Sequence, residues 1–283
     1  MTGPTTVLVL GGTTEARELA ERLVDRTDDP ADSYGLRVVT SLAGRLEDPR
    51  LPAGEVRSGG FGGVDALAAW LRAHAPVVVV DATHPFATRI SDHVLAAAAT
   101  TGTPLLRLTR PGWVARPGDR WLRVPHVAAA ADLLPTLGIR PLLTTGRRDL
   151  AAFIEHPSCG RLDLLVRCVE HPTVSLPLGV TVLVDRGPFT LAGERALMAD
   201  RGVDVLVTRD SGGESTRAKL DAAHELGLPV VMVDRPPPPP PPAAVPTLLT
   251  VPTVSTVEEA ERWVLDSLGQ LQAWTPRDRM ARP

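Results

Sequence analysis

Residues 6–26 read TVLVLGGTTEARELAERLVDR. Val7 to Leu10 is a short, fully apolar run that ends on Gly11-Gly12, as a strand buried on both faces would. TEARELAERLVDR then carries the pattern of an amphipathic helix. A strand, a glycine turn and a helix together form the repeating unit of a doubly wound α/β sheet.

The unit recurs along the chain. LRVVTSLAGR, GEVRSGGFGG, VVVVDATHPFA and TPLLRLTRPGW each read as a strand with its loop, and VDALAAWLRAHAP and TRISDHVLAAAATTG read as helices. The second half repeats the order, with RPLLTTGRRDLAAFI, RLDLLVRCVEH, VTVLVDRGP, ERALMADRG, VDVLVTRDSGGESTRAKLDAAHELG and LPVVMVDRP. Two endings echo each other. WLRVPHVAAAADLLPTL begins at Trp121 and LLTVPTVSTVEEAERWV at Leu248, each with a Val-Pro-x-Val before a helical segment. Gly102-Thr103-Pro104 and Gly227-Leu228-Pro229 both stop a helix before a strand. Arg110-Pro111 and Arg235-Pro236 follow each of these prolines at the same distance. The fold class is therefore α/β, with two Rossmann-like doubly wound parallel-sheet domains. The expected boundary lies near residue 137, giving domains 1–137 and 138–270 and a polar tail 271–283. Each ending reads as the final strand-helix unit of one domain. The seven prolines Pro236–Pro242 suit a polyproline II spacer of roughly 20 Å, within a Pro-rich connection 236–246. Such a spacer lets the last units exchange between domains.

The bulk composition narrows the function. With 283 residues, 43% hydrophobic and 22% charged, the chain can bury a real core. A net charge of -3 gives no basic field for nucleic acid or an anionic membrane. No apolar run spans a bilayer, and MTGPTTVLVLGG lacks the charged start of a signal peptide. Cys159 and Cys168 fit neither a CxxC motif nor a zinc site, so they read as structural thiols in a reducing, cytoplasmic setting. No metal-ligand cluster is evident, and no protein-held metal is expected.

In open parallel sheets, ligands bind at the carboxyl ends of the strands. The Gly11-Gly12-Thr13-Thr14 turn lets backbone approach a diphosphate at a helix N-terminus, with the threonine hydroxyls as donors. It departs from GxGxxG, and a tight β-α turn alone would explain it. Arg17, on the first helical turn, wants an anion nearby. At the end of the second strand, Ser41 and Arg45 stand where an NAD site would place an acid, which favours NADPH. SGGFGG at 58–63, with Gly60 at its centre, fits a loop that wraps a ligand or simply a flexible turn. Asp81, Thr83 and His84 end the VVVV strand, and His84 is the candidate proton donor. The loops TTGRRD and RDSGGESTRAKL gather cations and small residues, which suits a polyanionic small ligand gripped through its carboxylates.

The ordered set LGGTTEAREL, SLAGR, GGFGG, DATHPFA, LLRLTRPGW, TTGRRDL and VTRDSGG…TRAKLDAAHELGLPVVMVDRP resembles the precorrin-6A reductase family of cobalamin biosynthesis. The resemblance implies a coenzyme domain and a tetrapyrrole domain. It also implies reduction of one macrocycle double bond of precorrin-6A by hydride from NADPH plus a proton. Carried over residue by residue, it assigns Gly11, Gly12, Thr13, Thr14, Ser41, Gly44 and Arg45 to the coenzyme, to which the loop readings add Gly60 and Thr83. Arg110, Arg147, Ser211, Gly212, Thr216 and Lys219 go to the substrate. Arg17 and His84 are assignable to either, Arg17 being set with the substrate and His84, beside Asp81, with catalysis. The next enzyme of the pathway is a candidate partner.

Two rivals remain. Another two-domain NADP-dependent reductase or epimerase-like protein would call for a Tyr-x-x-x-Lys pair, but the single tyrosine, Tyr34, has no lysine four residues on. A non-catalytic two-lobed binder of an anionic small molecule would bind without coenzyme.

Overall fold

The computed structural model describes residues 5–26, 35–44, 50–237 and 251–273, the last three through their backbone. The chain runs β1 (Thr5–Leu10), α1 (Thr14–Asp25), β2 (Leu36–Leu42), β3 (Glu55–Ser58), α2 (Val64–His74), β4 (Val78–Asp81), α3 (Thr88–Thr101) and β5 (Leu105–Leu108). It continues through β6 (Arg120–Val124), α4 (Val127–Leu133), β7 (Pro141–Leu143), α5 (Leu150–Ile154), β8 (Leu164–Cys168) and β9 (Val180–Val184). The remaining elements are α6 (Leu191–Asp200), β10 (Val205–Arg209), α7 (Ala218–Glu225), β11 (Pro229–Val233), β12 (Thr253–Val254) and α8 (Val257–Ala273).

The strands form two six-stranded sheets, ordered β12-β5-β4-β1-β2-β3 and β6-β11-β10-β7-β8-β9. Every pairing in both is parallel. The two orders are the same pattern, so each sheet is doubly wound, with its switch point between β1 and β4 or between β7 and β10.

The alternation of strand side chains explains how the first sheet is covered. Val7 and Val9 pack with Ala16, Leu19 and Leu23 of α1 and with Val257, Ala260 and Val264 of α8. Leu8 and Leu10 face the other way, onto Leu67 and Leu71 of α2 and Val94 and Leu95 of α3. All four β1 side chains are essentially inaccessible to water, and burying each contributes about 1.5–3 kcal/mol. This is why the run is apolar throughout rather than alternating. In the second sheet, Leu142, Leu165, Leu206, Val230 and Met232 pack with Met198 of α6 and Leu220 and Ala223 of α7.

The final units are exchanged. β6 pairs with β11, matching Arg120–Val124 to Pro229–Val233. β12 pairs with β5, through Thr253–Arg107 and Val254–Leu108. One unit is therefore residues 1–110 with 238–283, and the other is 111–237. The boundary expected near 137 thus moves to the Arg110-Pro111 and Pro237-Pro238 junctions, because strand pairing takes β6 and α4 into the second sheet. The register of the echo moves as well. Val124 and Val254 each end a strand, and two residues later His126 and Thr256 each accept a bond from a backbone N–H three positions on. The structural match is therefore Val124-Pro125-His126-Val127 with Val254-Ser255-Thr256-Val257, three residues beyond the Val-Pro echo. α8 is held to α1 by Arg22 and Arg26, which pair with Glu258 and Glu261. Of the heptaproline, Pro238–Pro242 lie outside the described residues, as does the tail beyond 273. No helix among the described residues is long and apolar enough to cross a membrane.

Candidate active site

At the first switch point, β1 and β4 deliver two loops side by side. Gly11 N–H donates to the Ser41 carbonyl (3.0 Å) and Ala82 N–H to the Leu10 carbonyl (3.1 Å). Thr13 caps α1: its Oγ1 accepts from Ala16 N–H (3.1 Å) and donates to the Ala82 carbonyl (2.8 Å). The Thr13 hydroxyl expected as a phosphate donor is thus engaged in tying the two loops, and the residue is buried. Thr14 is exposed, and its Oγ1 accepts from Arg17 (3.1 Å). Gly12 sits at φ +115, open only to glycine, and a Cβ there would meet nothing within 4 Å. Gly11 is tight instead, since its Cβ would lie 2.8 Å from the Thr40 methyl.

The β4 loop is organised by Asp81, which is 3% exposed. Its carboxylate accepts from Thr83 N–H (3.2 Å) and Oγ1 (2.7 Å), and Arg107 lies 3.7 Å away. These bonds make Asp81 a positioning group for the loop rather than a free acid. His84 Nδ1 accepts from Phe86 N–H (3.2 Å). An accepting Nδ1 puts the neutral ring's proton on Nε2. Arg110, expected with the substrate residues, instead reaches α1, where it pairs with Glu15 at 2.7 Å. That pair neutralises a carboxylate on the first turn, where an incoming phosphate would otherwise meet like charge.

At the ends of β2 and β3, Ser41 is register partner to Arg57. Gly44, at φ +65, has backbone so close to Gly59 that a Cβ would lie 2.9 Å from its nitrogen. Arg57 donates to the carbonyls of Gly59 (2.5 Å) and Gly60 (2.9 Å) and to Ser41 Oγ (3.3 Å). Its guanidinium lies 3.7 Å over the Phe61 ring. Sequence reading missed Arg57, whose proximity to Ser41 depends on strand register. Arg45 lies outside the described residues.

The second switch point is built like the first. The loop after β10 is bound to the segment after Arg110: Asp210 accepts from Trp113 N–H (3.0 Å) and pairs with Arg123 (2.7 Å). Trp113 Nε1 donates to the Gly213 carbonyl (3.0 Å). Gly212, at φ +66, is backed so closely by the chain that a Cβ would lie 2.1 Å from the Pro111 oxygen. Ser211 N–H donates to the Arg209 carbonyl (2.7 Å). Lys219 is 7% exposed, donates to the Thr216 carbonyl (2.9 Å) and lies 5.1 Å from the Trp113 ring centre. Thr216 Oγ1 is buried with no hydrogen-bond partner among the described residues. Arg147 pairs with Glu170 (2.8 Å), Arg209 with Asp149 (2.6 Å) and buried Arg167 with buried Glu194 (2.6 Å). Much of the cationic gathering seen in sequence is therefore internally balanced.

Two doubly wound units, with a glycine turn and a histidine loop flanking the first switch point, are the architecture of a two-domain Rossmann-like α/β protein. The chain belongs to the precorrin-6x reductase family: residues 6–265 match the family model described as "Precorrin-6x reductase CbiJ/CobK". It is 50% identical over 233 residues to the precorrin-6A reductase of Rhodococcus erythropolis, covering 82% of this chain and 90% of that one. It is 31% identical to the cobalt-precorrin-6A reductase of Salmonella typhimurium, over 81% of this chain and 87% of that one. A solved structure described as CobK precorrin-6A reductase superimposes with a TM-score of 0.81 at 38% identity, covering 93% of this chain and 97% of that one.

A family of reductases implies a nicotinamide cofactor, and the first unit fits one. The open cradle at Gly12 and the first-turn N–H groups of Thr14 and Glu15, which lack intrahelical acceptors, suit a diphosphate.

Proposed function

We propose that the protein reduces one double bond of the precorrin-6A macrocycle with NADPH, giving the dihydro product, precorrin-6B, in cobalamin biosynthesis. The observation that carries this reading is the family match over residues 6–265, together with a phosphate-compatible turn at the first switch point.

The first unit is the coenzyme domain in this reading. NADPH supplies the hydride when bound. Gly11, Gly12 and Thr14 cradle its diphosphate, with Thr13 holding the turn in shape. Ser41, Gly44, Arg45, Gly60 and Thr83 line the remainder of the coenzyme site. Asp81 positions the loop, and His84, entering as the imidazolium, gives a proton to the reduced ring system and returns to the neutral ring. The second unit is the substrate domain. Arg147, Ser211, Gly212, Thr216 and Lys219 hold macrocycle carboxylates, and Arg17 stays assignable to either ligand. The unpartnered Thr216 hydroxyl supports this assignment, since a buried polar atom without a bond costs about 1–3 kcal/mol until a ligand satisfies it. The setting proposed is the cytoplasm, with the next enzyme of the pathway as partner for the product.

The test is loss of 340 nm absorbance by the purified protein with precorrin-6A, run with NADPH and with NADH. Turnover confined to NADPH is expected. Coenzyme binding without turnover would redirect the search to another substrate. Absence of both would move the reading to a two-lobed binding protein.

A further inference from the structure

Arg57 differs from the arginines around it. Arg22, Arg26, Arg37, Arg107 and Arg110 all pair with carboxylates. Among the described residues, Arg57 pairs with none. Its bonds go from Nη1 and Nη2 to the Gly59 and Gly60 carbonyls and the Ser41 hydroxyl, and among the described residues Nε–H donates none. A guanidinium has five donors in a planar fork. Three are accounted for, which leaves Nε–H and one Nη2 proton. Those two form the edge that grips a phosphate or carboxylate in bidentate fashion.

The side chain cannot readily swing elsewhere. One face lies on Phe61, whose ring is itself edge-on to Trp70 at 5.8 Å. The two glycine carbonyls fix its plane. Burial draws its pKa below the ordinary arginine value, with no carboxylate to offset the cost. A half-buried, preorganised cation with no counter-charge among the described residues is what an anion site requires, whereas a loop staple would need only the carbonyl bonds. Its place specifies the anion. β2 ends at Ser41-Leu42, and Ser41 is register partner to Arg57. In a doubly wound sheet the end of this strand meets the adenosine ribose. Residues 41–44 (SLAG) carry no acid to hold a free 2′-hydroxyl.

We infer that Arg57, stacked on Phe61 beside Ser41, is the residue that selects a 2′-phosphorylated adenosine, its outer edge gripping the 2′-phosphate. The inference rests on the coenzyme reading above. It adds to Arg45 a cation whose position is set by strand pairing and by an aromatic stack.

The test uses the full chain and two fragments of the coenzyme, 2′,5′-ADP and 5′-AMP, titrated calorimetrically. The native protein is expected to prefer 2′,5′-ADP. Arg57→Ala should raise the Kd for 2′,5′-ADP about 10- to 100-fold, the range for losing a charged bidentate contact, and change that for 5′-AMP less than about threefold. Arg57→Lys, which keeps the charge but not the fork, should fall between. A merely structural Arg57 would weaken both fragments equally and leave their ratio unchanged, which overturns the inference. So would a preference that survives Arg57→Ala and vanishes with Arg45→Ala. Failure of the native protein to bind NADP+ or either fragment would overturn the coenzyme reading itself. Should the alanine variant not fold, the lysine variant and the 31P titration of the 2′-phosphate in the native complex decide. Contact with Arg57 lowers that phosphate's pKa on binding, and an unchanged value counts against the inference.

Discussion

The Thr13 hydroxyl donates to the Ala82 carbonyl across 2.8 Å, joining the β1 turn to the β4 loop at the switch point. The same oxygen caps α1. One side chain therefore sets the distance between the phosphate cradle and the loop that bears His84. Thr13→Val keeps the shape and removes both bonds. It should lower stability by about 1–3 kcal/mol and weaken NADP+ binding, whereas Thr13→Ser should retain most of both. Urea unfolding and calorimetric titration check the pair.

Gly212 makes the second loop equally specific. At φ +66, with the Pro111 oxygen 2.1 Å from a would-be Cβ, Gly212→Ala must shift the backbone. The strain should cost about 1–3 kcal/mol. The KM for the macrocycle should rise while the Kd for NADP+ holds, because the change lies in the second unit. Steady-state kinetics beside coenzyme titration would detect the split.

His84→Gln tests the proton donor. Turnover should fall about 10²- to 10⁴-fold with the coenzyme Kd unchanged. Full turnover across the pH range would remove His84 from the chemistry.

Cys159 supplies a pH signature of folding. Burial, then the charge of Asp132, pushes its thiol from 9.0 up to about 11. Cys168 is also raised, again by burial. An acid whose folded pKa lies above its unfolded one binds more protons when folded, so stability falls as pH rises between the two values. For Cys159 the slope should approach about 1.4 kcal/mol per pH unit between 9 and 11. Cys159→Ala should lower stability at pH 7 yet flatten this alkaline loss, as read from urea midpoints at several pH values.

The exchange of final units makes a prediction about fragments. Residues 111–237 contain all six strands of the second sheet and should unfold cooperatively as an isolated polypeptide. Residues 138–270 lack β6 and carry β12 and α8, whose partners are β5 and α1. That fragment should be aggregation-prone, which circular dichroism and light scattering would show.

The strand-end loops that frame the candidate site were legible in the sequence because their signals are local. Gly11-Gly12 after an apolar run, and Asp81 to His84 after VVVV, mark strand ends whatever lies around them. Arg57 was not legible, since nothing in RSGGF announces that β2 pairs with β3 in the register that brings it to Ser41. Arg110 was assigned to the substrate by the family resemblance. Its side chain instead pairs with Glu15, 95 residues earlier.

The sequence by itself determined the alternation of strands and helices, the parallel sheets and the two-domain count, since hydrophobic period and turn residues act over a few positions. Tertiary structure alone decided which sheet received each final strand and which charges met. Short strands such as β6 and β12 carry no local mark of their partner. Their pairing is set by hydrogen bonds and helix packing that come together only when distant segments close on one another.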